Sequence, residues 1–341
     1  MARLVSTAED SVTIRPFDGS LADAEGLLGV ERATFDESPY TAAEVQAMLV
    51  EGPQRAWLAV QGSRIAGFSI AFPVTGVRGS WWEVDLLAVQ PEWRGHRLGR
   101  RLIQAATAHG AGMAGQARAV VADDNGASTQ AFLRAGFQMA PGTRELLIHN
   151  PLGRAQRRRA RWGGRVREAD TPEEVADYLS SLAAAGPDAV APPMPLGGRP
   201  PDPGGTRGGT LLLAEQGDRL GERLKPSGYA ELIEVQTLLY RGIWIESLLA
   251  SGGSVRDLRP SWRDVLIEEA VRRARKAGLD EIGALVNERD RPLQQALLSA
   301  GFRSLGGFRW LVAPLPALEM PEQVRESGRR PEQVRESGRR F

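Results

Sequence analysis

Apolar and polar positions alternate through "RAWLAVQGSRIAGFSIAFPV" (residues 55–74), the period of two that strands show, with Gly62-Ser63 at the turn of a hairpin. Upstream, "SVTIRPF" reads as a further strand. The segments "LADAEGLLGVERATF" and "TAAEVQAMLVEG" place apolar residues at helical spacing, and Thr41 is positioned to cap the second. Downstream come a strand "SWWEVDLLAVQ", a helix from about Arg97 to Gly110, a strand "ARAVVAD", a helix "ASTQAFLRAG" and a closing strand "RELLIHN". The predicted order is strand, two helices, hairpin, strand, helix, strand, helix, strand. That is a mixed α/β unit.

Strict alternation in "SWWEVDLLAVQ" puts Trp82, Val84, Leu86 and Ala88 on one face and Glu83, Asp85, Leu87 and Val89 on the other. The first face belongs under helices. Two carboxylates on the second face are costly in mid-sheet unless they border a wet cleft; a half-exposed surface strand is the plainer alternative. Pro91 ends the strand, and "RGHRLG" precedes the next helix. Gly95 and Gly99 let backbone approach a ligand, and the free N–H groups of a helix's first turn attract anions. Arg94, Arg97 and Arg100 add positive charge there. Many helices begin with such a loop, so its place after two carboxylates is what makes it informative.

A second copy of the unit follows. "LAVQGSRIAG" from Leu58 returns as "LAEQGDRLGE" from Leu213, and "AGF" at Ala135–Phe137 returns at Ala300–Phe302. Each half also ends in a strand running into Pro-Leu, at Pro151-Leu152 and at Pro314-Leu315. The expected organisation is therefore a domain over 1–152, a basic linker over 153–167, a second domain over 168–318 and a polar tail over 319–341. The linker "RAQRRRARWGGRVR" suits a solvated connector better than a nucleic-acid patch. "APPMPLGGRPPDPGGTRGG" (191–209) reads as a long loop, and the tail repeats "PEQVRESGRR" twice.

Composition narrows the chemistry. Acidic and basic residues balance to a net charge of +1, so no global field argues for nucleic acid. There is no cysteine, hence no disulfide, thiolate metal site or cysteine nucleophile. His96, His109 and His149 are scattered without ligand spacing, and no metal is expected. No apolar signal region or membrane-length apolar run occurs, and the expected location is cytoplasmic, with no membrane partner.

"LLAVQPEWRGHRLGRRL" followed by "NGASTQAFLRAGF" resembles the GNAT acyltransferases. The resemblance spans about residues 12–150 and implies a tandem α/β fold of two GNAT-type domains, each a mixed, mostly antiparallel sheet flanked by helices. It implies acetyl-CoA as co-substrate, with amides of Arg94, Gly95, His96, Arg97, Leu98, Gly99 and Arg100 around the pyrophosphate. The backbone of Leu87, Ala88 and Val89 would hold the pantetheine arm and thioester carbonyl, with Asn125 beside it. Glu83 takes the family's base position for an amine acceptor, with Asp85 as second candidate. Two positions depart from the family: Arg97 replaces the middle glycine, and Phe132 stands where a tyrosine often protonates the departing thiolate. Tyr40 is a possible substitute. With no cysteine, direct attack in a ternary complex is favoured over an acyl-enzyme.

Aligning the halves on Leu102 and Leu266 sets "LRPSWR" (258–263) against the loop of the first half, with no glycine left. Ser261 with Asp264 reads there as an ordinary helix cap. Asp290 and Leu297 stand at the positions of Asn125 and of the tyrosine. The second copy is thus expected to be degenerate as a cofactor site. The rival to an N-acetyltransferase is a non-catalytic GNAT-like protein that binds CoA or a partner; the acceptor and the oligomeric state are not written in the sequence.

Overall fold

The structure is a computed structural model, and it describes residues 11–35, 40–153, 164–185, 209–216, 226–238, 240–250 and 261–316. The first half contains β1 (Thr13–Pro16), α1 (Leu21–Thr34), α2 (Ala42–Glu51), β2 (Arg55–Gln61), β3 (Arg64–Gly76) and β4 (Gly79–Val89). It continues with α3 (Leu98–Gly110), β5 (Gln116–Ala122), α4 (Gly126–Arg134), β6 (Gln138–Met139) and β7 (Arg144–His149). The second half comprises β8 (Gly164–Glu168), α5 (Pro172–Ala185), β9 (Gly209–Gln216), β10 (Gly228–Gln236) and β11 (Arg241–Ala250). It ends with α6 (Trp262–Lys276), β12 (Glu281–Asn287), α7 (Arg291–Ser299) and β13 (Arg303–Pro314). The long Pro/Gly loop up to residue 208, most of the basic linker and the repeated tail lie outside the described residues.

Local chemistry explains the helix starts. Ser20 caps α1, Thr41 and Glu44 form a capping box on α2, and Ser261 with Asp264 does the same for α6. Asn125 and Asp290 cap α4 and α7 through their side-chain oxygens. No described helix is long and apolar enough to cross a membrane.

All thirteen strands join one sheet in the order β1-β2-β3-β4-β5-β13-β7-β12-β11-β10-β9-β8, with β6 alongside β13. The halves therefore exchange their last strands. The last described strand, β13, pairs with the first half, from Phe308 opposite Ala122 to Pro314 opposite Gln116. Reciprocally, β7 pairs with the second half, from Arg144 opposite Asn287 to His149 opposite Ile282. Packing follows the exchange. Leu311, Ala313 and Leu315 sit in the core with Trp82, Leu102 and Phe132, while Leu147 sits with Leu266, Ile282 and Leu293. The sequence led us to expect each half to close its own sheet. Alternation records which face a strand buries, and either neighbouring strand satisfies that requirement.

Strict alternation also fails in β4. The ladder with β3 passes from Ile70 opposite Leu86 to Ala71 opposite Val84, leaving Asp85 as an extra residue in a β-bulge. Beyond the bulge the faces swap. Trp82 and Val84 share a core with Leu87 and Val89 beneath α3 and α4, whereas Leu86 and Ala88 pack with α1 and α2. The second half repeats the device, Glu246 being the extra residue where Leu232 faces Ile245 and Glu231 faces Ser247.

Candidate functional site

Parallel β4 and β5 are joined at only two pairs, Trp82 with Ala117 and Glu83 with Arg118. Their C-terminal stretches then run without a shared ladder. The polypeptide leaving β4 makes a short 3-10 turn at Pro91–Trp93 and enters α3 through the exposed segment Arg94–Arg97. Gly95 has φ +85°, and Arg97 has φ +61°, the only positive φ of a non-glycine among the described residues. A left-handed arginine costs about 1–2 kcal/mol, so the loop is held in a conformation that its own local preferences oppose.

Arg97 also occupies the cap position of α3, and its side chain makes no capping bond. The first hydrogen bond of that helix runs from the Arg101 amide to the Arg97 carbonyl at 3.2 Å, so the preceding amides have no intrahelical acceptor. Helices α1, α2, α4, α6 and α7 are all capped by side chains, which makes α3 the exception. Arg97 and Arg100 form no ion pair among the described residues, whereas Arg64 engages Glu92 nearby. The two glycines differ in kind. The φ of Gly95 demands glycine, but a side chain at Gly99 would meet Ala131 Cβ at 3.5 Å and Leu87 Cδ2 at 3.7 Å, ordinary contacts.

Leu87, Ala88 and Val89 pair with Ser69, Phe68 and Gly67 of β3, and their other edge faces the opening toward β5. The Arg94 Nε reaches back to the Val89 carbonyl at 3.4 Å, and the His96 ring donates from Nδ1 toward the Trp93 and Arg94 carbonyls. Leu98 is buried under the loop. Asn125 Oδ1 accepts the Ser128 amide at 3.0 Å, so its capping duty ties the start of α4 to the end of β5. Phe132 is buried edge-on to Phe137 with centroids 5.0 Å apart, and it brings no hydroxyl to this region. The remaining histidines serve packing: His109 lies against Trp57 and Trp82, and His149 is stacked on Phe302.

The two carboxylates of β4 lie in different surroundings. Glu83 is 8% exposed and ion-paired with the Arg118 Nε. Burial pushes its carboxyl up to about 7 despite the opposing pull of Arg118. Asp85 is reached by solvent at the bulge yet is ringed by protein; that desolvation pushes it up to about 6, against a hydrogen bond with Thr237. Thr237 belongs to the turn between β10 and β11, and the next residue, Leu238, is fully buried beside Leu86 and Ala88. The second half thus inserts a turn into the first, close to Asp85. Tyr40 is half-buried against the same core, and its hydroxyl is pushed up by burial and by Asp280 of the second half.

Sequence reasoning missed the partners of Glu83. The Arg118 guanidinium lies between the rings of Trp81, 4.1 Å away, and Trp310, 4.3 Å away. Its terminal nitrogens reach Glu246 Oε1 at 2.8 Å and Oε2 at 3.2 Å. Glu246 in turn receives Arg78 at 2.5 Å, and Arg78 Nε reaches Glu231 at 3.2 Å. A polar residue inside each apolar strand was the available signal; nothing in the order of residues tells which of them meet.

Pseudo-symmetry makes Glu246 the counterpart of Asp85, since Trp82–Ala117 and Ile243–Ile282 are equivalent pairs. The environments are opposite. Glu246 is 3% exposed and covered by Arg78 from the β3–β4 turn of the first half, whereas Asp85 meets solvent. With α6 also capped by Ser261, the second half has, at the places equivalent to the α3 start and to Asp85, a capped helix and a buried carboxylate. An open depression of about 430 Å³ between α6 and β9–β11 lies apart from the loop, and Arg273 on its wall is paired with Glu168 and Glu269.

Residues 25–137 match the model of the Acetyltransferase (GNAT) family. Among curated protein sequences, none matches this chain significantly. A GCN5-related N-acetyltransferase from Sphaerobacter thermophilus is similar in structure, with a TM-score of 0.51 at 16% identity, over 91% of this chain and 98% of that one. The glucosamine N-acetyltransferase region of a fungal multi-domain β-N-acetylglucosaminidase gives a TM-score of 0.51 at 15% identity, over 89% of this chain and 38% of that one. These likenesses show the fold.

Proposed function

We propose, from the premise that residues 25–137 form a domain of the GNAT acetyltransferase family, that this protein is an N-acetyltransferase working from its first half. The observation that carries the proposal is the uncapped start of α3 following a strand that carries two carboxylates with raised proton affinity. Acetyl-CoA supplies the acyl group as a thioester. The amides from Arg94 to Arg100, with the guanidinium groups of Arg97 and Arg100, which have no ion-pair partner among the described residues, suit its pyrophosphate. The open edge of Leu87, Ala88 and Val89 suits the pantetheine arm, with Asn125 at its side. In this reading the backbone N–H groups on that edge stabilise a developing oxyanion.

An amine acceptor with a pKa of roughly 10 is mostly protonated at neutral pH, and attack requires loss of that proton. Asp85 is the carboxylate that an acceptor meets first. Glu83 is the more basic of the two and stands behind it as the better proton sink. At neutral pH Glu83, with its carboxyl at about 7, is about half ionised and Asp85 is mostly ionised, so each has a population able to accept. The amine then attacks the thioester directly. A thiol pKa of roughly 8.5 lets the thiolate leave without an acid, which accommodates Phe132. Thr237 and Tyr40 line the acceptor side, so the second half completes the pocket.

Release of free thiol from acetyl-CoA with a panel of amines, read beside binding, tests this function. Amine-dependent release supports it. The buried, hydroxyl-free Phe132 favours a second reading, a CoA-binding protein without turnover. Binding without any release would establish that reading in its place.

A further inference from the structure

Five charged side chains from both halves form one continuous buried cluster: Arg78 and Arg118 face Glu83, Glu231 and Glu246. Two guanidinium groups thus meet three carboxylates. Such a set is expensive to bury and is tolerable only because almost every donor and acceptor is engaged. Glu231 takes the Val77 amide at 2.6 Å and the Tyr178 hydroxyl at 2.8 Å as well as Arg78. Glu246 takes both arginines. Glu83, held among the described residues by the Arg118 Nε alone, is the least engaged carboxylate of the three.

We propose that Glu246 is a positioning residue for the site of the first half: by holding two of the three donor nitrogens of Arg118, it leaves Glu83 a single one. The Trp81 and Trp310 rings confine the guanidinium to that plane. Glu246 stands at the second bulge, where Asp85 stands at the first. The second half has therefore turned the carboxylate of its own blocked site toward its neighbour. The groups around Glu83 are Arg118 on β5, Glu246 on β11 and Asp85 on β4, with Arg78, Glu231 and Tyr178 completing the cluster. Loss of the Glu246 charge frees Arg118 to fork onto Glu83 and removes a repelling neighbour. Both effects favour the ionised form of Glu83.

The role of Glu83 in proton handling rests on the function proposed above, but the test does not. The carboxyl carbons of glutamate in the full-length chain, followed by carbon-13 NMR against pH and assigned with Glu83→Gln, report Glu83 directly. Its midpoint in the unaltered chain is expected at about 7. In Glu246→Gln it falls by about one pH unit or more, a tenfold change in the ionised ratio. Glu246→Asp keeps the charge but shortens the reach, and gives a smaller fall. An unchanged or raised midpoint in Glu246→Gln overturns the proposal; where that variant does not fold, the same outcome in Glu246→Asp does so. An ordinary carboxylate midpoint for Glu83 in the unaltered chain overturns it as well. Failure of acetyl-CoA to bind would strike the proposed enzyme function and leave this titration standing.

Discussion

Replacing Leu311 with alanine should destabilise both halves at once. Leu311 comes from β13 of the second half but is fully buried in the core of the first half, opposite Ala119 of β5 on one side and Met139 of β6 on the other. Neighbours in that core include Trp82, Leu102 and Phe132. A buried Leu→Ala change removes about 2–5 kcal/mol, and the larger values belong to sites that cannot collapse. At Leu311 strand β13 is held between β5 and β6, so the cavity should persist and the cost should fall in the upper part of that range. Against a stability of about 5–15 kcal/mol, this is a large fraction. Urea unfolding followed by tryptophan fluorescence, beside scanning calorimetry, measures it. One transition for the whole chain is expected, moved to lower urea by the substitution. Two transitions of which Leu311→Ala moves only one, or a cost under about 0.5 kcal/mol, would refute the strand exchange as a shared core.

Arg97→Gly relieves a left-handed arginine and should raise stability by about 1 kcal/mol in thermal unfolding while retaining acetyl-CoA binding through the backbone. Asp85→Asn should lower turnover and remove the acid limb of the pH–rate profile that falls away near its raised value of about 6. The carboxyl of Glu83 lies at about 7 in the folded chain against an ordinary 4.5, so the fold retains its proton where the unfolded chain has lost it. Its contribution is fully present below the ordinary value and is lost as pH rises through about 7; Glu83→Gln should therefore show a flatter decline of urea midpoint between about pH 5 and pH 8.

What was legible in the sequence is local in origin. The caps at Thr41 and Ser261 and the hairpin at Gly62-Ser63 depend on residues within a few positions of one another, and each lies where the pattern puts it. The loop before α3 was legible in part: it covers Arg94–Arg97 with Gly95 in the left-handed region, whereas Leu98 and Gly99 already belong to the helix. The bulge at Asp85 was not, because one inserted residue shifts the register without altering the polarity of the segment. That shift explains how Glu83 is buried while Asp85 meets solvent, two residues apart on the same strand. The exchange of β7 and β13 and the partnership of Arg118 with Glu246 are long-range choices among strands of similar pattern, which periodicity leaves open.

Calorimetric titration of acetyl-CoA into the full-length chain, beside Gly99→Glu, tests the central claim most directly. The space around Gly99 accepts a side chain at ordinary contact distances, so the variant should fold while its carboxylate repels the pyrophosphate. The unaltered chain should bind one acetyl-CoA per molecule, and Gly99→Glu should bind at least about tenfold more weakly, a loss of about 1.4 kcal/mol. No binding by the unaltered chain, or equal binding by both, would contradict the assignment of the α3 start as the cofactor cradle.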